Sequence, residues 1–178
     1  MNQDPRLYPI LVVDDEQDIL TTFRYSYGDE FEVMTAESAA RALDILTTHD
    51  AAVIVADQRM PAMSGTEFLV RSMDIRPDAV RIILTGYTDN EALVNAVNKS
   101  RIYRYVTKPW EDDELRITLR RAIEVYHLSR ENARLVEELR RAKASHASSV
   151  SSGNACPLTS RARSAASGQL CTTESRPT

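Results

Sequence analysis

Only two cysteines occur in the 178 residues, Cys156 and Cys171, and both lie in a polar C-terminal stretch. That pair has no metal-ligand spacing and makes no disulfide framework, so stray tail thiols are the favoured account. Long apolar runs are missing too. The longest extend over a few residues, which excludes a membrane-spanning helix. The start, MNQDPRLYPI, lacks the charged and apolar regions of a secretory signal, so a cytoplasmic location is expected. There is no basic excess: the net charge is −4, and direct nucleic-acid binding by this segment is not expected. Lysine is scarce, with three (99, 108 and 143) against 19 arginines among the 22 basic residues. Where the chain wants generic positive charge it uses arginine, so each lysine invites a specific explanation.

What is present suits one globular domain with additions, since 43% of the residues are apolar. Composition changes at Ala144. From there Ser, Ala, Thr and Gly dominate, no aromatic occurs and no apolar period survives. Such a segment buries too little surface to offset chain entropy, so 144–178 is expected to be a disordered tail. A linker to another module and a remnant of truncation or frameshift both remain open for it.

Before that point, short apolar strands alternate with helical patterns. Strands are expected at 9–13, 31–35, 52–56, 80–84 and 103–106, and helices at about 16–27, 37–48, 65–74 and 89–98. Ala39, Ala42, Leu43 and Leu46 recur at helical spacing, as do Ala92, Leu93, Ala96 and Val97, and Asp89 is placed to cap the latter helix. A fifth, long helix follows Pro109–Trp110. Repeated βα units imply an α/β fold, a doubly wound parallel sheet with helices on both faces. The first, third and fourth strands are nearly all apolar, as strands covered on both faces should be. Ligands of such sheets bind beyond the carboxyl ends of the strands.

Those ends carry a set of complementary groups. The run ILVV stops at Asp14 and Asp15, the third strand at Asp57, the fourth at Thr85–Gly86, and the fifth runs into Thr107–Lys108–Pro109. Each has an ordinary structural account taken singly. Asp14 or Asp15 could cap a helix, Asp57 could start the turn DQRMPAMSG, and Lys108 could be a solvated charge. Taken together, four of five ends place carboxylates, a hydroxyl and an ammonium on one rim.

Adjacent carboxylates at a strand end become tolerable when a divalent cation lies among them. Mg²⁺ takes oxygen ligands in octahedral geometry and is commonly held by one or two carboxylates plus phosphate oxygens. Asp14, Asp15 and Asp57 suit such a site. Asp57 could then act as a nucleophile toward a phosphoryl group, giving an acyl phosphate. Lys108 would ion-pair with that group and the Thr85 hydroxyl would hydrogen-bond to it.

The segments LVVDDE, VADQRMPAMSGTEFL, ILTGYTD and YRYVTKPW, in that order and spacing, resemble the receiver domain of two-component response regulators over residues 8–127. The resemblance implies a flavodoxin-like, five-stranded sheet of order 2-1-3-4-5. It implies Asp57 as the phosphoacceptor for a histidine kinase, Asp15 as a direct Mg²⁺ ligand, Asp14 as a ligand through water and the Arg59 carbonyl as another ligand. It makes Thr85 and Tyr105 a switch pair that reshapes the surface of the helix at 89–98, the fifth strand and the last helix. It also implies a cis Lys108–Pro109 bond, with Arg59 and Tyr87 tuning dephosphorylation. Within the family, DQRMPAMSG, LTGYTD and IYRYVTKPW look closer to regulators with enzymatic or enhancer-type outputs than to winged-helix ones.

The helical pattern continues past residue 127 through HLSRENARLVEELRRAK. Val125, Asn132 and Leu139 share one heptad position, and Leu128, Leu135 and Ala142 the other. Asn132 in the seam would favour a parallel homodimer, and Glu138 and Lys143 are spaced to pair between chains. A solvated helix end is the alternative over so few heptads. The expected organisation is a receiver at 8–127, a transmitting helix at 128–143 and the tail, with no effector after Lys143. Three functions follow: a kinase-fed switch that catalyses only its own phosphorylation and dephosphorylation, an output-less dimerisation module or phosphate sink, or a Mg²⁺-dependent phosphohydrolase. The last is disfavoured, because Gln58 and Arg59 follow Asp57 where a second aspartate would stand.

Overall fold

A computed structural model describes residues 4–86 and 101–152, with side chains to 144. The expected helix at 89–98, its Asp89 cap, Tyr87 and both cysteines lie outside the described residues. The chain divides into two units, Met1–Glu137 and Glu138–Thr178, and the sheet and all candidate site residues belong to the first.

Five strands form the sheet: β1 Ile10–Val13, β2 Val33–Ala36, β3 Val53–Asp57, β4 Val80–Thr85 and β5 Ile102–Thr107. All pair in parallel, in the order β2-β1-β3-β4-β5. The order reverses between β1 and β3, so the crevice beyond their carboxyl ends falls between Asp14 and Asp57. The helices are α1 Gln17–Tyr27, α2 Ala39–Thr48, α3 Gly65–Ile75 and α4 Asp112–Ser152.

Alternation along each strand sorts the core into two layers. Ile10, Val12, Val53, Val55, Ile82 and Leu84 face α1 (Leu20, Phe23, Tyr27) and α4 (Leu115, Leu119, Ala122). Leu11, Val13, Ile54, Ala56 and Ile83 face α2 (Ala42, Leu46) and α3 (Phe68, Leu69). Each fully buried branched or aromatic side chain of this kind contributes about 1.5–3 kcal/mol relative to exposure. This double coverage explains why β1, β3 and β4 are buried at every position.

Local chemistry fixes the helix starts. Ser38 caps α2 by accepting from the Arg41 amide. Ser64 and Glu67 form a reciprocal capping box on α3, and the bonds from the Ser64 amide and hydroxyl hold the exposed Glu67 carboxyl below its ordinary pKa. Arg81 interrupts the apolar run of β4, yet it is only 2% exposed. Its guanidinium donates to the carbonyls of Leu69, Ala79 and Arg76 and to Ser72 Oγ, a cation at the carboxyl end of α3. Burial, and then the charge of Arg101, pulls its pKa down to about 10 despite Asp78.

Most boundaries fall within a residue or two of expectation, and two of the differences have a physical cause. β2 begins at Val33, not at Phe31. The Phe31 ring is core, but its amide bonds back to the Tyr27 carbonyl at the end of α1, so apolar character there reports packing rather than strand. The last helix does not stop at Lys143 but runs to Ser152, into the segment expected to be disordered. Residues 144–152 contain neither glycine nor proline, and Gly153 is the first breaker after them. Helix propensity survives a loss of apolar periodicity.

Candidate functional site

Asp14, Asp57, Thr85 and Lys108 come from four different segments, and the parallel sheet delivers all of them to one rim. Asp14 follows the last residue of β1 and is 0% exposed; Asp57 ends β3 at 6% and Thr85 ends β4 at 4%. The β5 end is tied back to β4 by the Lys108 amide, which donates to the Thr85 carbonyl at 2.8 Å. The Lys108–Pro109 bond is cis.

The two buried carboxylates are wired alike. Asp14 Oδ1 accepts from the Glu16 amide at 2.9 Å, and its Oδ2 accepts from Lys108 Nζ at 2.7 Å. Asp57 Oδ2 accepts from the Arg59 amide at 2.6 Å, and its Oδ1 stands 2.6 Å from the same Nζ. One oxygen of each closes a local turn, and the other faces the shared ammonium. Burial works against the lysine charge. The hydrogen bonds and charges of Asp14 and Asp57 outweigh it, and the pKa of Lys108 is held above its ordinary value.

The remaining candidates are placed differently. The Asp15 side chain is exposed. Among the described residues, no three His, Cys, Asp or Glu side chains stand close enough together to hold a metal ion. The structure thus joins Asp14 and Asp57 through Lys108 and leaves Asp15 at the surface. The donor chemistry still fits Mg²⁺: two anionic oxygens, Asp14 Oδ2 and Asp57 Oδ1, converge on one cation. Thr85 Oγ1 donates to the Gly86 carbonyl at 3.2 Å. Tyr105 lies beside Ile83 in the β4–β5 register, with its ring against the α2/α3 layer. Its hydroxyl is buried and meets no hydrogen-bond partner among the described residues, and burial pushes its pKa up.

Two features of the loop between Asp57 and α3 were not read from the sequence. Ala62 holds φ 66°, a left-handed conformation that costs a residue with a Cβ. Gly65 lies against the Asp57 main chain so closely that a side chain would collide with it. The available signal was a lone glycine at the start of a helical pattern in SGTEFL.

A family model described as the response regulator receiver domain matches residues 10–120. The hydrogenase transcriptional regulatory protein HoxA of Cupriavidus necator is 42% identical over 131 residues, which cover 74% of this chain and 27% of that protein. HoxA of Bradyrhizobium diazoefficiens is 39% identical over 122 residues, covering 68% and 25%. The chain therefore spans about a quarter of the length of these curated relatives. Among solved structures, the signal receiver domain of an HD domain-containing protein from Pseudomonas fluorescens Pf-5 superposes with a TM-score of 0.65 at 33% identity, covering 67% of this chain and 97% of that one. With the family model spanning all five strands and the strand order 2-1-3-4-5 in place, the chain belongs to the response regulator receiver family of two-component systems.

Proposed function

We propose that this chain is a phosphorylation-controlled switch whose acceptor is Asp57. The observation that carries the proposal is the shared wiring of Asp14, Asp57 and Lys108. A carboxylate almost wholly buried, with one oxygen turned to a cation and the other locked by a backbone amide, is oriented before its partner arrives. Asp57 Oδ attacks the phosphorus of a phosphohistidine on a histidine kinase, or of a small acyl phosphate. The bond from phosphorus to the donor breaks, the donor leaves with the electron pair, and an aspartyl phosphate remains. Lys108 follows the charge by pairing with the phosphoryl oxygens, and the Thr85 hydroxyl donates to them. Mg²⁺ would neutralise the cluster and the charge in transfer, with Asp57, Asp14 and the Arg59 carbonyl to hold it and Asp15, exposed in this structure, turning inward to join them. Tyr105 completes the switch: its hydroxyl has no hydrogen-bond partner among the described residues, so no bond from them fixes the ring in one orientation.

The output would travel through α4. Val125, Leu128 and Leu135 are 40%, 53% and 44% exposed, and the heptad continues in the sequence through Leu139 and Ala142. A second copy of the same helix suits this stripe, with Asn132 setting a parallel register. The organisation proposed is a cytoplasmic receiver at 8–127, a transmitting helix from 128 and a tail, serving an output of the transcription-regulating kind that the HoxA relatives are named for.

The test is labelling with radioactive acetyl phosphate and Mg²⁺. Wild type takes label that is labile to hydroxylamine, and Asp57→Asn takes none. Equal label in that variant would reject the acceptor assignment.

A further inference from the structure

Seven residues separate Asp57 from Gly65, and they bend back so that the first residue of α3 lies on the main chain of the acceptor. Gly65 is not there for its backbone freedom. A Cβ on it would lie 2.1 Å from the Asp57 carbonyl oxygen, 2.9 Å from the Asp57 carbonyl carbon and 3.1 Å from Gln58 Cα. All three are backbone atoms, so no side-chain rotation relieves the collision. Either the start of α3 or the Asp57–Gln58 peptide must move.

The helix is the better anchored of the two. Its start is held by the Ser64–Glu67 box, by the Gly65 amide on the Gln58 carbonyl at 3.1 Å, and by Thr66 Oγ1 on Gln58 Oε1 at 2.7 Å. Its next turn inserts Phe68 and Leu69, both fully buried. The peptide after Asp57 is tied to β4 by the Gln58 amide, which donates to the Leu84 carbonyl at 2.9 Å. Beyond it comes the Arg59 amide that orients the carboxylate. A push on that peptide therefore reaches the Asp57 side chain through the bond at Arg59 and the contact at Lys108.

We propose that Gly65 is a positioning residue for phosphoryl acceptance: its missing side chain lets α3 seat on the Asp57–Gln58 peptide, which sets the direction in which Asp57 presents its carboxylate. The proposal rests on Asp57 being the acceptor, and it adds a residue that touches neither the phosphoryl group nor the metal.

The experiment compares four forms of the chain: wild type, Gly65→Ala, Gly28→Ala and Asp57→Asn. Gly28 is a matched control, because a Cβ there would also meet backbone, the Arg24 carbonyl oxygen at 2.4 Å, but at the end of α1 away from Asp14. Thermal midpoints are taken by circular dichroism, and initial labelling rates with acetyl phosphate and Mg²⁺ are taken where each variant is fully folded. Both glycine variants melt lower than wild type. Only Gly65→Ala labels slowly, by about tenfold or more, the scale expected of a sub-ångström misplacement. A wild-type rate in folded Gly65→Ala, or an equal loss in Gly28→Ala, overturns the proposal. If Gly65→Ala does not fold, Thr66→Val decides, since it loosens the same seat without adding bulk. Slowing by about threefold or more supports the positioning role, and an unchanged rate overturns it. An unlabelled wild type, or a fully labelled Asp57→Asn, overturns the acceptor assignment and the proposal with it.

Discussion

Replacing Lys108 with methionine isolates the electrostatics of the rim. The side chain keeps most of its length and loses its charge, so Asp14 and Asp57 keep their backbone bonds and lose the cation they share. At an effective dielectric of about 20, unit charges about 4 Å apart interact by roughly 4 kcal/mol before desolvation is counted, and these two contacts are shorter. The desolvation already imposed on the two carboxylates is several kcal/mol each and is not refunded when the ammonium goes. Removing one partner of a buried pair typically destabilises by about 3–5 kcal/mol. Lys108 is 20% exposed, which argues for the lower end of that range. Urea unfolding at neutral pH in EDTA should therefore show Lys108→Met about 3 kcal/mol less stable than wild type at equal slope. Millimolar Mg²⁺ should narrow the gap, because a divalent ion can replace the missing ammonium in the variant and must compete with it in wild type. The pH dependence has a fixed sign. The folded pKa of Lys108 lies above its ordinary 10.5, so the ion-pair contribution is complete below 10.5 and disappears as pH rises through the folded value. The gap should hold from neutral pH to 10.5 and close above it. A gap below about 1 kcal/mol at neutral pH in EDTA would place this triad with ordinary surface ion pairs and refute the argument.

Other perturbations test neighbouring parts of the structure. Ala62 sits at φ 66°, so Ala62→Gly should raise stability by about 1 kcal/mol in urea unfolding, and an unchanged or lower midpoint would deny the strain. Tyr27 is pushed up to about 12, first by burial and then by the hydrogen bond and charge of Asp112. The folded chain therefore keeps that proton longer than the unfolded one, and wild type should lose on the order of 2–3 kcal/mol between pH 10 and 12. Tyr27→Phe should flatten that part of the stability–pH profile, and an identical profile would contradict the assignment. Leu135→Asp places a charge in the exposed heptad stripe, so sedimentation should show the beryllofluoride-loaded wild type dimerising and the variant remaining monomeric at the same concentration. Equal dimerisation of both would move the interface elsewhere.

The sheet was legible because burial on both faces removes polar residues from β1, β3 and β4 and leaves few readings for such runs. The rim was legible because each reactive side chain sits where a strand pattern breaks, and parallel pairing brings those breaks together. What escaped the sequence depends on tertiary distance. Gly65 looks like any turn glycine until α3 is laid against Asp57. Arg81 looks like a misfit in VRIIL until the carboxyl end of α3 supplies its acceptors. Phe31 has the apolar character of a strand residue and packs as core before its strand begins. Asp14 and Asp15 are indistinguishable as letters, yet one is fully buried and the other exposed, because the chain turns outward after β1.

That difference answers why two carboxylates stand side by side where a hydrophobic strand stops. The choice between a turn-forming role and a functional one is a false one for Asp14 and Asp57, since each assigns its two oxygens to the two roles. The local bond fixes the side chain and the second oxygen is turned to Lys108, where the proposed chemistry would take place. Counted together, Asp14, Asp57 and Lys108 sum to one net negative charge, and Asp15 adds another at the mouth of the crevice. The ammonium makes the pair of buried carboxylates tolerable but leaves the rim anionic. A phosphoryl group on Asp57 would carry about 1.5–2 negative charges in place of the carboxylate's one, which with Asp14 is more than one lysine can balance. A rim built this way is stable enough to fold and is electrostatically incomplete, so phosphoryl acceptance should depend steeply on divalent cation while folding should not.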